Sequence, residues 1–215
     1  MSAEAPFSWP LFWETPIIAI LRGESPEVCR QVARVCKDTG FHTVEVTMNT
    51  PAATEIIADL STSFPELNIG AGTVCTLEDF EQAAQAGARF IVTPILDEDV
   101  ILAAVAQDLP IFPGAFTPTE VHRAWSLGAA AVKLFPAGQL GPDYVKDILA
   151  PLNEILLLPT GGVTRQNLRD WFTAGAVGVG MGSALLDTEL IRQGDYAALR
   201  QHFLSVRAEI ADIAK

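Results

Sequence analysis

Basic residues are scarce in this 215-residue chain: 14 lysines and arginines stand against 26 aspartates and glutamates, for a net charge of −12. That balance argues against nucleic acid or an anionic membrane as partner, since either calls for a basic face. It also means that an anionic small molecule must be held by a few local donors against the overall field. Cysteine is equally sparse. Cys29, Cys36 and Cys75 are odd in number and show no CxxC spacing. Neither a disulfide framework nor a zinc site is indicated, and reduced thiols in a cytoplasmic protein are expected. His42, His122 and His202 are scattered and belong to no grouping with metal-ligand spacing, so they are expected at the surface or at helix ends. No apolar run reaches membrane-spanning length. The opening segment MSAEAPFSWP lacks the basic stretch and apolar core of a signal peptide. There is no GxGxxG and no P-loop, so no nucleotide cofactor is implied.

What is present is a repeating plan. With 49% hydrophobic residues and a mean hydropathy of +0.28, the chain has the makings of a well-packed core, and 1–215 reads as a single domain. Apolar segments bounded by turn residues predict strands at Ile17–Leu21, Thr43–Thr47, Asn68–Gly72, Phe90–Thr93, Ile111–Pro113, Ala131–Leu134, Ile155–Leu158 and Val177–Gly180. Helical segments lie between them. Ser25-Pro26, Thr50-Pro51 and Thr117-Pro118 each set a hydroxyl before a proline, as at a helix N-terminus, and Thr117 to Glu120 has the form of a capping box. Gly40, Gly87, Gly128 and Gly175 fall where helices should end. Eight strands in strict alternation with helices predict an α/β fold, a closed (β/α)8 TIM barrel. Phe7, Trp9, Phe12 and Trp13 predict a short N-terminal helix closing its bottom, and the stretch from Asp195 a last helix packed outside.

Such barrels build their sites at the carboxyl ends of the strands. Those positions here hold Arg22, Glu45, Thr47, Thr73, Pro94, Lys133, Phe135 and Thr160, then Gly161-Gly162 and Gly182-Ser183. Lys133 stands inside the apolar run 129–136, where a lysine is either used or snorkels from a strand end to solvent. A buried amine tends to lose its proton and so becomes a nucleophile towards carbonyl carbon. Period-2 alternation sets Glu45 on the face of Thr43 and Thr47, opposite Val44 and Val46. A carboxylate facing the interior there is an ion-pair partner of Lys133, a proton-transfer group near it, or both. The turns Pro159–Val163 and Gly178–Ser183 leave backbone N–H groups bare at helix entrances, and together they suggest a phosphate site.

Taken together these residues resemble the 2-keto-3-deoxy-6-phosphogluconate aldolase family, also called the 4-hydroxy-2-oxoglutarate aldolase family. The pieces that carry the likeness are 18–22 (IAILR), 44–47 (VEVT), 70–74 (GAGTV), 113–120 (PGAFTPTE), 132–136 (VKLFP), 159–163 (PTGGV) and 180–184 (GMGSA). The resemblance implies a cofactor-free class I lyase of the TIM-barrel fold. It would cleave 2-keto-3-deoxy-6-phosphogluconate to pyruvate and D-glyceraldehyde 3-phosphate, a step of the Entner–Doudoroff pathway. By the same resemblance Lys133 carries the Schiff base, Glu45 is the general acid/base and Thr73 touches the keto acid. Thr47, Pro94, Phe135 and Thr160 join Arg22 around the substrate, while Gly161, Gly162, Val163, Gly182 and Ser183 hold phosphate. No metal takes part, and the implied assembly is a homotrimer. Some members bind the substrate carboxylate through an arginine four residues after the glutamate. Asn49 stands at that position here, and Arg22 matches the members with an Ile-Leu-Arg pattern. The related 2-keto-3-deoxy-6-phosphogalactonate aldolases share Arg22 and the asparagine but usually have proline in place of Thr47. That substrate, unphosphorylated 4-hydroxy-2-oxoglutarate with oxaloacetate decarboxylation, and a non-catalytic phosphate-binding barrel are the alternatives.

Overall fold

The computed structural model describes residues 6–213; both ends of the 1–215 span, and the first five residues of the N-terminal segment, lie outside the described residues. Strands β1 (Ile17–Leu21), β2 (Thr43–Thr47) and β3 (Asn68–Gly72) have the predicted bounds. They are followed by β4 (Ile91–Val92), β5 (Ile111–Phe112), β6 (Gly114–Ala115), β7 (Val132–Leu134), β8 (Leu157–Pro159) and β9 (Val179–Met181). Helices α1 (Trp9–Glu14), α2 (Pro26–Thr39), α3 (Ala53–Ser63), α4 (Leu77–Gln85) and α5 (Glu98–Ala106) alternate with the first strands. Further along come α6 (Pro118–Ser126), α7 (Pro142–Leu149), α8 (Leu168–Thr173), α9 (Thr188–Gln193) and α10 (Tyr196–Ala208). No helix among the described residues is long and apolar enough to cross a membrane.

All the strand pairs are parallel, in a sheet of order β5-β4-β3-β2-β1-β9 and a second of order β6-β7-β8. The two sheets curl towards each other. Their junctions are the chain itself at Pro113, between β5 and β6, and a lone parallel bridge from Thr160 to Gly180. Pro113 explains why the predicted fifth strand is broken: proline has no N–H to give to a ladder. Its carbonyl still accepts from Lys133 N–H at 2.9 Å. The predicted seventh strand starts later than expected because Ile155 spends its N–H on a turn with Leu152 at 3.2 Å, and the predicted eighth also starts later, at Val179.

Alternation sorts the side chains. Ile17, Ala19, Leu21, Val44 and Val46 meet the helices, in one large apolar cluster. Ile18, Phe90, Val92, Phe112, Ala131 and Leu158 turn inward and pack with Phe7 and Phe12. The N-terminal helix closes that end as predicted, with Phe7 and Phe90 ring centroids 5.5 Å apart. Asn68 pins it, accepting from Ser8 N–H at 2.8 Å and donating to Ser8 O at 2.9 Å. At the other end of the chain α10 packs on α2, bringing Phe203 to 4.9 Å from Phe41.

Two of the three hydroxyl–proline signals act as predicted. Ser25 caps α2, and Thr117 and Glu120 complete the capping box of α6. Gly40, Gly87, Gly128 and Gly175 all have positive φ at helix ends, as predicted. Thr50 departs from expectation. Helix α3 starts at Ala53, its N-cap is Ala52 at φ 57°, and no side chain caps it.

Candidate active site

Lys133 and Glu45 are both buried inside the curled sheet, at 3% and 1% relative exposure. Lys133 lies mid-strand in β7, in register with Gly114 of β6 and Leu158 of β8. Its amine stands 5.0 Å from the centroid of the Phe135 ring. Glu45 lies in β2 beside Ile20 of β1 and Gly70 of β3. Its side chain leans over Gly72, where a Cβ would overlap the carboxylate. Among the described residues Glu45 Oε1 has no hydrogen-bond partner. A buried polar atom left this way costs about 1–3 kcal/mol, which marks Glu45 as a group kept for something other than stability.

Burial pushes the Glu45 carboxyl up from its usual range, and the charges of Lys133 and Arg22 pull it back. Burial pulls the Lys133 amine down; Glu45 opposes that shift and Arg22 adds to it. Both groups are therefore moved towards their neutral forms, the direction needed for a nucleophilic amine and a carboxyl able to give as well as take a proton. Among the described residues no ion pair within 4.0 Å joins them. The coupling is electrostatic, without the close contact of a structural salt bridge.

Arg22, just past β1, is exposed and donates from Nη2 to Thr73 Oγ1 at 3.4 Å. Thr73, just past β3, has φ 57°. A β-branched residue is strained there, and such strain is kept where a side chain must be aimed. Thr47 is buried, and its hydroxyl bonds that of Thr50 at 3.0 Å. Pro94 is half-buried, and a Cβ at Gly114, the register neighbour of Lys133, would overlap the Pro94 carbonyl. Asn49 is exposed.

Beside this buried pair a cavity of about 500 Å³ opens, walled by Arg22, Phe135, Thr160 and the two glycine turns. Lys133, Glu45, Thr47, Thr73 and Pro94 are not in its wall, so the predicted residues form two adjoining groups. Phe135 and Arg22 join them: the first touches the amine and borders the cavity, the second acts on both ionisable groups and borders it too. Gly161 and Gly162 have φ of 84° and 83°, open to glycine alone at low cost. A Cβ at Gly162 would meet Gly138 Cα at 2.6 Å, so the turn lies flat on the loop after β7. Gly138 N–H bonds Gly161 O at 2.7 Å and Ala137 N–H bonds Thr160 O at 2.9 Å. Among the described residues no protein acceptor takes the N–H of Gly162, Val163, Ser183 or Ala184. Those four donors suit an anion, against the chain's negative field.

Sequence reasoning missed three residues. Glu24 and Thr164 wall the cavity, and the half-buried Cys75 is close enough to Lys133 for each to act on the other's ionisation. Glu24 carried a weak signal, standing two residues past Arg22. Cys75 and Thr164 carried none, being short loop residues without periodicity.

Known proteins share this arrangement of sequence and fold. The family described as KDPG and KHG aldolase matches residues 11–202. The 2-dehydro-3-deoxy-6-phosphogalactonate aldolase of Escherichia coli (strain K12) is 38% identical over 80% of this chain and 86% of its own length. The 2-dehydro-3-deoxy-phosphogluconate aldolase of Treponema pallidum (strain Nichols) is 34% identical over 88% and 92%. Among solved structures, the KDPG aldolase of Legionella pneumophila, which holds pyruvate as a covalent carbinolamine, superposes with a TM-score of 0.86 at 28% identity, over 93% of this chain and 98% of that one. The match spans most of the chain and includes both glycine turns, the lysine strand and the glutamate strand, and it places this chain in the KDPG and KHG aldolase family, as a class I aldolase and a lyase.

Proposed function

We propose that this enzyme cleaves a 2-keto-3-deoxy-6-phosphohexonate between C3 and C4, with Lys133 as nucleophile. The observation that carries the reading is a lysine 3% exposed whose amine is pulled down by burial. The neutral amine attacks the C2 ketone, and the carbinolamine loses water to give an imine. Once protonated, that imine is an electron sink. Glu45 takes the C4 hydroxyl proton, the C3–C4 pair moves into the imine, and D-glyceraldehyde 3-phosphate leaves. The enamine is reprotonated at C3 from Glu45, and water releases pyruvate. Arg22 forks onto the substrate carboxylate and Thr73 supports it. Thr47, Pro94, Phe135 and Thr160 shape the space between. The bare N–H groups of Gly162 and Val163, in the turn with Gly161, and of Ser183 and Ala184, in the turn with Gly182, receive the phosphate.

Sequence reasoning favoured the gluconate substrate. The galactonate epimer gains support from relatives at 38% and 37% identity that carry its name. The epimers differ at C4, which becomes the aldehyde carbon, so both give the same products. Only turnover tells them apart. Measuring kcat/KM on both, and on unphosphorylated 4-hydroxy-2-oxoglutarate, decides among the three. The phosphate reading requires the last to be the poorest.

The closed (β/α)8 barrel, taken as one domain, is part of this proposal; the bridge at Thr160–Gly180 and the junction at Pro113 support it. So is the homotrimer, for which the exposed Leu102 and Val105 on α5, with Ile95 and Phe116 nearby in sequence, offer apolar ground.

Arg22 provides a separate check. Arg22→Lys should weaken pyruvate binding markedly, because a point charge cannot reproduce a planar fork. Asn49→Ala, at an exposed side chain, should be mild. Titrating pyruvate against the rate of borohydride trapping measures both; the reverse ranking would assign the carboxylate to Asn49.

A further inference from the structure

We infer that Thr50 is a positioning residue for Arg22, acting through a buried hydroxyl pair with Thr47; this rests on the reading that Arg22 binds substrate. The sequence places Thr50 where it should cap α3, and the structure withholds it from that duty. Its Oγ1 accepts instead from Gly23 N–H at 3.0 Å and bonds Thr47 Oγ1 at 3.0 Å. Thr50 is 4% exposed and Thr47 is fully buried. Water therefore has little access to replace either bond.

Gly23 follows Arg22 directly, so its N–H belongs to the peptide unit that carries the Arg22 carbonyl. Gly23 has φ 72° and a Cβ there would meet nothing within 4 Å. That side of the turn is open, and the bond from Gly23 N–H to Thr50 Oγ1 fixes the plane. Among the described residues the Arg22 guanidinium itself has one protein hydrogen bond, the 3.4 Å contact to Thr73. A long, exposed side chain with so little restraint depends on where its backbone is set.

The other end of the pair is rigid. Thr50 N–H bonds Thr47 O at 2.8 Å, and Met48 N–H bonds Gly72 O at 2.7 Å, so the turn after β2 is tied both to itself and to the end of β3. A hydroxyl offers one donor and two acceptor sites. Thr50 thus takes the Gly23 bond and remains available to Thr47. The strand that carries Glu45 thereby sets the place of the loop that carries Arg22.

Thr50→Val removes the hydroxyl and keeps the shape. The half-saturating pyruvate concentration in borohydride trapping should rise about tenfold, the order of one lost hydrogen bond, with a smaller change in the trapping rate at saturation. Thr50→Ser should restore binding. In an Arg22→Ala background Thr50→Val should add nothing, since the group it positions is gone. Arg22→Ala with unchanged pyruvate binding would defeat the reading of Arg22 itself. If Arg22→Ala weakens binding while Thr50→Val leaves it alone, or if the two penalties simply add, Arg22 stands and the positioning role of Thr50 falls. Should Thr50→Val not fold, Thr47→Val carries the same comparison, and a several-fold loss that vanishes without Arg22 is the supporting outcome.

Discussion

Lys133→Ala should lower aldol cleavage by several powers of ten and abolish covalent trapping of pyruvate, in a protein that still folds. The chain has four lysines. Lys37 and Lys146 are paired with Glu66 and Asp143 at the surface, and Lys215 lies outside the described residues. Lys133 alone among the described lysines is buried and pulled towards neutrality. Its removal takes away the imine and with it the electron sink. Folding should survive because the loss cuts both ways: a cavity opens beside Phe135, and an amine costly to bury disappears. Borohydride reduction with pyruvate, followed by peptide mass analysis, should mark the wild-type peptide carrying Lys133 and nothing in the variant. Labelling at Lys146, or near-native turnover by Lys133→Ala, would falsify the mechanism.

The parts of this enzyme that were legible in its sequence are those where one residue had one plausible use. Strands β1 to β3 were found to the residue because each is an unbroken five-residue run ended by Arg22, Met48 or Thr73. Lys133 and Glu45 were conspicuous because charge is out of place in such runs. The glycine turns were visible as glycine clusters at the strand ends. Thr50 was misread because the same Thr-Pro pair serves two ends. Thr117 has Glu120 three residues on to complete a capping box, whereas the matching position after Thr50 is Ala53. With that support missing, the Gly23 N–H, 27 residues away in the chain, won the hydroxyl. Contacts of that separation leave no local pattern. The walls of the cavity were partly hidden for the same reason, since Glu24 and Thr164 stand in loops, where no period tells inside from outside.

For Glu45→Gln the expected loss in cleavage is about a hundredfold to ten-thousandfold, the range of general acid–base catalysis. Glutamine fills the same space over Gly72 and cannot carry the proton from the C4 hydroxyl. The pH dependence separates this role from a merely electrostatic one. Imine formation needs the neutral amine, so its rate falls as the pH drops through the lowered Lys133 pKa. Of the neighbouring charges, Glu45 does most to hold that pKa up against burial. Without it the pKa drops further, and the acid limb of pyruvate trapping should move to lower pH. Stability gives the third reading. The folded-state pKa of Glu45 lies above its unfolded value, so the carboxyl favours folding while protonated, and that contribution is lost as the pH rises through the folded pKa. At neutral pH, therefore, glutamine should not lower Tm, and thermal melts across the pH range should show the variant gaining on the wild type as the pH rises. A shifted acid limb with full-rate cleavage would leave Glu45 as a tuner of Lys133 and send the search for the proton carrier elsewhere. A shifted limb with cleavage slowed by two powers of ten or more identifies one carboxylate that does both, which is what a buried oxygen without a partner among the described residues equips it to do.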